Sequence, residues 1–193
     1  NNYPAVTSLT GVSCIPLKGQ TLHSWAGIGL GQGSVDQLIR RIKKYGKTKN
    51  WKSTDVLIID EVSMMDMELF EKLHMIGSIL RNQPDQLFGG IQLIISGDFL
   101  QLPPVGVDQG KYFCFESPIW KQYINKENTI LLSEIIRQSN NEFAQMLNRF
   151  RLGQVCQADI DLLNTRLVDK VPSMVIKPTK LYPFKIGRAS LGK

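Results

Sequence analysis

Apolar positions in this chain alternate between two kinds of pattern. Residues 4–7, PAVT, read as a short strand running into SLTG, a turn. Over residues 34–45, Val35, Leu38, Ile39, Ile42 and Tyr45 recur at helical spacing. Ser34 and Gln37 make a capping box for that helix, and Gly46 ends it. The unbroken apolar run that closes on Ile59 suits a strand buried on both faces of a parallel sheet. From Met67 to Leu80 a helix is predicted, with Leu69, Phe70, Leu73, Ile76 and Leu80 on one face. RNQPDQLFGG is a loop, and IQLIIS, 91–96, is a second buried strand. The prolines and glycines of LQLPPVGVDQG exclude regular structure, and TILL, 129–132, reads as a third short strand. Phe143, Met146, Leu147 and Phe150 mark a helix closed by Gly153, and a further helix is predicted over 157–168.

Strands alternating with helices predict an α/β fold with a mainly parallel sheet. In such sheets ligands gather at the carboxyl ends of the strands. Asp60, Glu61 and Asp98 all stand just past such ends, so these acids are expected to face a shared ligand site.

Composition narrows the class. With 193 residues, the chain suits one domain or one domain with an appendage. Apolar residues at 42% and charged residues at 21% describe an ordinary globular chain. No apolar stretch approaches the ~20 residues of a membrane-spanning helix, so no membrane is expected as partner. Cys14, Cys114 and Cys156 are odd in number and lack C-x-x-C spacing, which predicts reduced, buried thiols in an intracellular protein. Two histidines and scattered cysteines give no zinc pattern. The net charge of +6 is uneven: Arg40, Arg41, Lys43, Lys44, Lys47, Lys49 and Lys52 follow one another with no acid between them. Such a run fits a polyanionic partner, and equally a solvated helix face.

Four apolar residues followed by Asp60 and Glu61 have the physical form of a Walker B element. A buried strand fixes the carboxylates; the first can hold the Mg²⁺ of a nucleoside triphosphate, and the second can polarise the attacking water. The alternative is an acidic strand end that simply meets solvent. In GDFLQLPPV, 97–105, a second strand ends in Gly-Asp and presents Gln101 on a proline-stiffened loop. A fixed amide there can sense a γ-phosphate.

At these residues a resemblance becomes specific. LIIDEVSMMDMELFEKL followed by FGGIQLIISGDFLQLPPV resembles motifs II and III of the petite-integration-frequency (PIF) DNA helicases, 5′-to-3′ enzymes of superfamily one. TSLTGVSC resembles their motif Ia, GQTLHSWAGIGLG the segment after it, and FCFESPIW a further family segment. LSEIIRQSNNEFAQMLNRFRLGQ resembles motif IV. The resemblance implies a RecA-like P-loop NTPase lobe that binds ATP and Mg²⁺ and walks on single-stranded DNA. It covers residues 5 to 182, with 1–168 as a partial first lobe and 169–193 as a truncated connection toward a second. By the same resemblance, Asp60 would hold Mg²⁺, Glu61 would activate water, and Gln101 would couple the γ-phosphate to DNA. Arg137 would stand as the arginine finger. Thr10, the amides near Gly11, and His23 would contact the DNA backbone. Phe99 and Trp25 are candidates to stack on bases, with a place in the core as the commoner alternative for an aromatic in so apolar a fold. The implied partners are single-stranded DNA, DNA junctions and ATP. The implied setting is a monomer in DNA repair and recombination, in the nucleus or mitochondrion of a eukaryote and otherwise the cytoplasm.

The family also requires G-x-x-x-x-G-K-[S/T] to hold the phosphates. The terminal GRASLGK carries the spacing but no following Ser or Thr. An incomplete lobe with little or no ATP hydrolysis is therefore expected. The competing readings are a non-catalytic DNA-binding module and a fragment that occupies a partner helicase. Within the leading reading, the basic run is expected to be peripheral. Lys47, Lys49 and Lys52 are placed in a loop feeding the amino end of the Walker B strand.

Overall fold

The computed structural model describes residues 3–106 and 110–167. Its sheet is four-stranded and wholly parallel, in the order β2-β1-β3-β4, with β1 at Pro4–Ser8, β2 at Gln20–Thr21, β3 at Val56–Asp60 and β4 at Gln92–Ile95. Ser8 lies opposite Thr21 on one side and Asp60 on the other, so the register makes three strands present their carboxyl ends in one transverse row.

Helices carry the chain between strands. Thr10 caps the short α1, Gly11–Cys14, and Thr21 caps α2, Leu22–Ala26; each accepts a backbone N–H from the residue three positions on. Helix α3, Val35–Lys44, opens with the expected Ser34–Gln37 capping box. Leu38, Ile39 and Ile42 are buried, and Arg40, Arg41, Lys43 and Lys44 are exposed. Tyr45 departs from the predicted stripe: at the helix end its ring turns outward and lies 4.9 Å from the Arg41 guanidinium carbon. Lys49 and Lys52 are not in a loop but on α4, Thr48–Ser53, whose first flanking residue is Lys47. Trp51 of α4 explains that helix: its ring is fully buried, and its Nε1 donates to the Ala26 carbonyl at 3.0 Å.

Helix α5, Met67–Arg81, packs Phe70, Leu73, Ile76 and Leu80 into the core, as its periodicity predicts. Asp66 caps it, accepting from the Leu69 N–H at 2.7 Å. Arg81 at its far end donates to four carbonyls, those of Gly89, Trp51, Lys52 and Thr54. The core around α5 is aromatic: Phe70 meets Phe88 at 5.4 Å and Trp120, on α6 (Pro118–Tyr123), at 5.3 Å.

Three strand-related expectations need correction. Leu57 and Ile59 are fully buried but Val56 and Ile58 only partly, so among the described residues the sheet has one sealed face. β4 is an edge strand on which Gln92 and Ile94 are exposed. TILL forms no strand, and Ile130, Leu131 and Leu132 are more than four-fifths exposed. An apolar β-branched run becomes a strand only when a neighbouring edge supplies hydrogen bonds, and none of the described strands does so here.

Backbone contacts divide the chain into two units, 1–135 and 136–193. In the second, α7 (Asn141–Arg151) and α8 (Gln157–Asn164) are joined by a forked ion pair. Arg149 Nε and Nη2 donate to the two Asp159 oxygens at 2.8 and 2.5 Å. Helix α8 ends at Asn164, short of the predicted 168. The expected connection at 169–193 and the GRASLGK tail lie outside the described residues. All three cysteines are free, but Cys156 is exposed rather than buried.

Candidate functional site

The two acidic strand ends are fastened to each other. Ser96, the first residue past β4, receives a backbone bond to its carbonyl from Val62 N–H at 3.0 Å and gives its own N–H to Ile59 O at 2.9 Å. Its hydroxyl donates to Asp60 Oδ1 at 2.6 Å. Gly97 permits the approach, because a Cβ there would fall 2.9 Å from both Val62 N and Val62 Cγ1. The Asp60 carboxylate is thus half-buried and held from one side, with the other oxygen left for a ligand.

Glu61 follows in the left-handed region, φ 58°, before a 3-10 turn at Val62–Met64. A non-glycine residue there is uncommon, and such conformations concentrate at functional sites. The turn redirects the chain at once, so Glu61 leaves the line of β3 while Asp60 stays on it.

Gln101 lies on the turn after β4, exposed, and is tied to Asp98 twice. Its backbone N–H donates to Asp98 O at 2.9 Å, and its side-chain Nε2 to Asp98 Oδ2 at 3.0 Å. Asp98 also receives the Leu100 N–H at 3.1 Å. Asp60 therefore closes β3, and Glu61 and Gln101 stand just beyond the carboxyl ends of the adjacent strands β3 and β4. Arg137 is exposed and belongs to the second unit.

A chain of hydroxyls runs sideways from Asp60. Ser8 Oγ donates to the Asp60 carbonyl at 3.3 Å and shares a hydrogen bond with Ser13 Oγ at 2.6 Å. Ser13 Oγ shares another with Thr10 Oγ1 at 2.5 Å. Thr10 and Gly11 thus sit two hydroxyls from the acidic strand end, and the space where a Gly11 side chain would project is open. Neither Ser96 nor Ser13 was singled out by sequence reasoning; their one local signal is a place beside the GDF and SLTG motifs.

His23, on α2, is half-buried. Burial holds its imidazole below the ordinary histidine value, while the Asp66 carboxylate pulls the other way. A neutral His23 at pH 7 brings a hydrogen bond rather than a charge. Trp25 takes the core alternative: it is buried, 4.8 Å from Trp51, and offers no face to a base. Phe99 is partly buried in an aromatic cluster, edge-on to Phe113, Phe115 and Trp120.

A cavity of about 460 Å³ opens beside His23, between the glycine-rich segment that follows α2 and the end of α3. Arg41 and Lys47 line it together with Thr21 and His23. Those members of the basic run therefore lie beside the carboxyl end of β2, not at the amino end of β3.

For Mg²⁺ the donor set is one strand-end carboxylate; among the described residues no group of three potential ligands is assembled. That fits an ion carried mainly by a triphosphate and water, which Mg²⁺ tolerates, rather than one caged by protein. Among the described residues no helix is long and apolar enough to cross a membrane.

Residues 2–161 match the family model described as PIF1-like helicase. The chain is 49% identical over 154 residues to ATP-dependent DNA helicase PIF1 of Emericella nidulans, covering 78% of this chain and 20% of that protein. It is 42% identical over 187 residues to ATP-dependent DNA helicase RRM3 of Saccharomyces cerevisiae, covering 92% and 25%. The crystal structure of Pif1 helicase from Candida albicans superposes with a TM-score of 0.83 at 43% identity, over 97% of this chain and 42% of that one. Pif1 helicase from Bacteroides, in complex with ADP-AlF3 and ssDNA, superposes with a TM-score of 0.69 at 28% identity, over 91% and 42%. The chain thus spans between a fifth and under half of these four proteins.

Proposed function

Because the chain belongs to the PIF1-like helicase family, we propose that it is part of the first motor lobe of an ATP-dependent 5′-to-3′ DNA helicase. Its all-parallel sheet is that of a RecA-like lobe. The observation that carries the proposal is the clamp of Ser96 on Asp60, with Glu61 and Gln101 just beyond. It fastens two sequence-distant motifs to each other at the strand ends, where α/β folds bind nucleotides.

In this reading Asp60 orients a nucleotide-borne Mg²⁺, whose charge would offset that of the phosphate oxygens. Its carboxylate is kept in place by the Ser96 hydroxyl. Glu61 accepts a proton from the attacking water as general base. Gln101, braced by Asp98, reports the occupancy of the γ-phosphate position to the LPPV loop. Thr10, Gly11 and His23 hold the backbone of single-stranded DNA. The Thr10–Ser13–Ser8 hydroxyl chain connects that contact to the Asp60 carbonyl. Arg137 supplies the charge that stabilises phosphoryl transfer, and Phe99 backs the DNA path.

None of the 193 residues forms a complete G-x-x-x-x-G-K-[S/T] loop. The chain by itself therefore binds single-stranded DNA but hydrolyses ATP weakly or not at all, since lost phosphate contacts cost several kcal/mol of transition-state stabilisation. Action on DNA junctions, a role in repair and recombination, and a monomeric state belong to the same proposal. Three free thiols support an intracellular setting. The test measures oligo(dT) binding over a salt series, beside steady-state ATPase with and without that DNA. Salt-dependent binding with background hydrolysis is expected. An absence of binding refutes the DNA reading, and turnover at the rate of an intact helicase refutes the claim of an incomplete catalytic site.

A further inference from the structure

The cavity beside His23 is built from two stretches that sequence reasoning kept apart. One wall is the segment after α2, where Gly27 and Gly29 have φ of 73° and 65°. The other is the end of α3 with Arg41, Tyr45 and Lys47. The glycines are needed twice over. Positive φ strains any other residue, and there is no room for a side chain. A Cβ at Gly27 would fall 2.6 Å from Lys47 Cβ, and one at Gly29 would fall 2.9 Å from the Arg41 guanidinium. Both basic side chains are thus laid along bare backbone at the cavity wall.

Among the described residues neither Arg41 nor Lys47 pairs with a carboxylate. Arg41 instead lies over the Tyr45 ring at 4.9 Å. Apolar surface makes up most of the wall, and the cations stand beside the hydroxyl-bearing Thr21. Its volume of about 460 Å³ suits a unit with an anionic end and a flat or apolar body. Thr21 stands in the same transverse row as Ser8 and Asp60, so the cavity continues the strand-end surface outward past β2.

We propose that this cavity seats one nucleotide unit of a single-stranded nucleic acid, extending the strand path beyond His23. Arg41 and Lys47 take the phosphate, and the sugar and base lie against Tyr45 and the Gly27–Gly29 backbone. The basic run is then divided in function. Arg41 and Lys47 belong to the strand path, whereas Arg40 and Lys43, which point to solvent on α3, do not. This inference rests on the single-strand-binding reading above.

The test uses the whole 193-residue chain and a fluorescent dT oligonucleotide, with anisotropy read from low to high salt and circular dichroism to verify the fold. Arg41→Gln with Lys47→Gln is expected to weaken binding about tenfold and to flatten the log–log salt slope by about 1.4, two contacts at about 0.7 each. Arg40→Gln with Lys43→Gln removes the same charge outside the cavity and is expected to change affinity less than about threefold. The charge-preserving swap Arg41→Lys with Lys47→Arg is expected to keep most of the affinity. Equal losses in the two Gln pairs overturn the inference. If Thr10→Ala with His23→Ala still weakens binding in that case, the general reading survives and only the cavity assignment falls. If the unaltered chain binds no oligonucleotide, both fall.

Discussion

Arg81 offers the sharpest test of how the RecA-like lobe holds its shape. It ends α5 and reaches back across the core. Nε donates to Gly89 O at 2.6 Å, and Nη1 is shared among the carbonyls of Trp51, Lys52 and Thr54 at 2.8, 3.2 and 3.0 Å. Three of those carbonyls belong to the end of α4, which has few other partners for them. Arg81→Met keeps the apolar stem and removes every donor. A hydrogen bond from a charged group is worth ~1.5–3 kcal/mol, but the two N–H donors of Nη1 are spread over three carbonyls and count as little more than one full bond. Partial exposure lowers the figure again, so the expected loss is about 2–4 kcal/mol. Against a typical total of ~5–15 kcal/mol that is a large fraction. Arg81→Lys should recover about half, because an ammonium cannot reproduce the planar fork. Urea unfolding followed by the fluorescence of Trp25, Trp51 and Trp120 measures this directly. A Met variant within about 0.5 kcal/mol of the parent, at unchanged m-value, would refute the view that Arg81 fastens α4 to the core.

Other outcomes are equally specific. Gly97→Ala places a methyl 2.9 Å from Val62 N and is expected to cost about 1–3 kcal/mol; unchanged thermal stability would mean the Ser96 clamp has slack. A thiol reagent at pH 8 should label Cys156 in the native chain. Cys14 and Cys114 should react only on unfolding, since both are buried and burial pushes the Cys114 thiol up to about 12; rapid native labelling of Cys114 contradicts this. Arg149 holds the Asp159 carboxyl well below the usual carboxylate range. The pair therefore stabilises α7–α8 above the unfolded value of about 3.9, and that contribution is lost as pH falls through the lower folded value. Asp159→Asn should remove it, and an acid-unfolding profile identical to the parent's would refute the assignment.

Much of this architecture is legible in the sequence alone. The capping box of α3 needs only Ser34 and Gln37, and the face of α5 needs only periodicity, because local chemistry decides both. The acidic strand ends are legible because an apolar run can stop in only a few ways. Ser96, Ser13 and Arg81 are not, since their partners lie at distant positions or on other elements and a serine or arginine carries no periodic signal. TILL fails for the opposite reason: its propensity is real, but no described strand lies beside it. Trp25 takes its core place because α2 turns it toward Trp51, while Tyr45 leaves the expected stripe because it sits at a helix end where that stripe runs out. The cavity joining Gly29 to Arg41 exists only once α3 folds back on the glycine segment.

The transverse row of Thr21, Ser8 and Asp60 also has a mechanical meaning. All four strands run the same way, so their loaded ends lie along one edge of the sheet. A force that slides one strand along its neighbour loads the evenly spaced hydrogen bonds between them together, in shear. A pull across the strands would open them one after another, as a zipper opens. A load taken up at the strand ends and directed along the strands thus meets the sheet where it resists most.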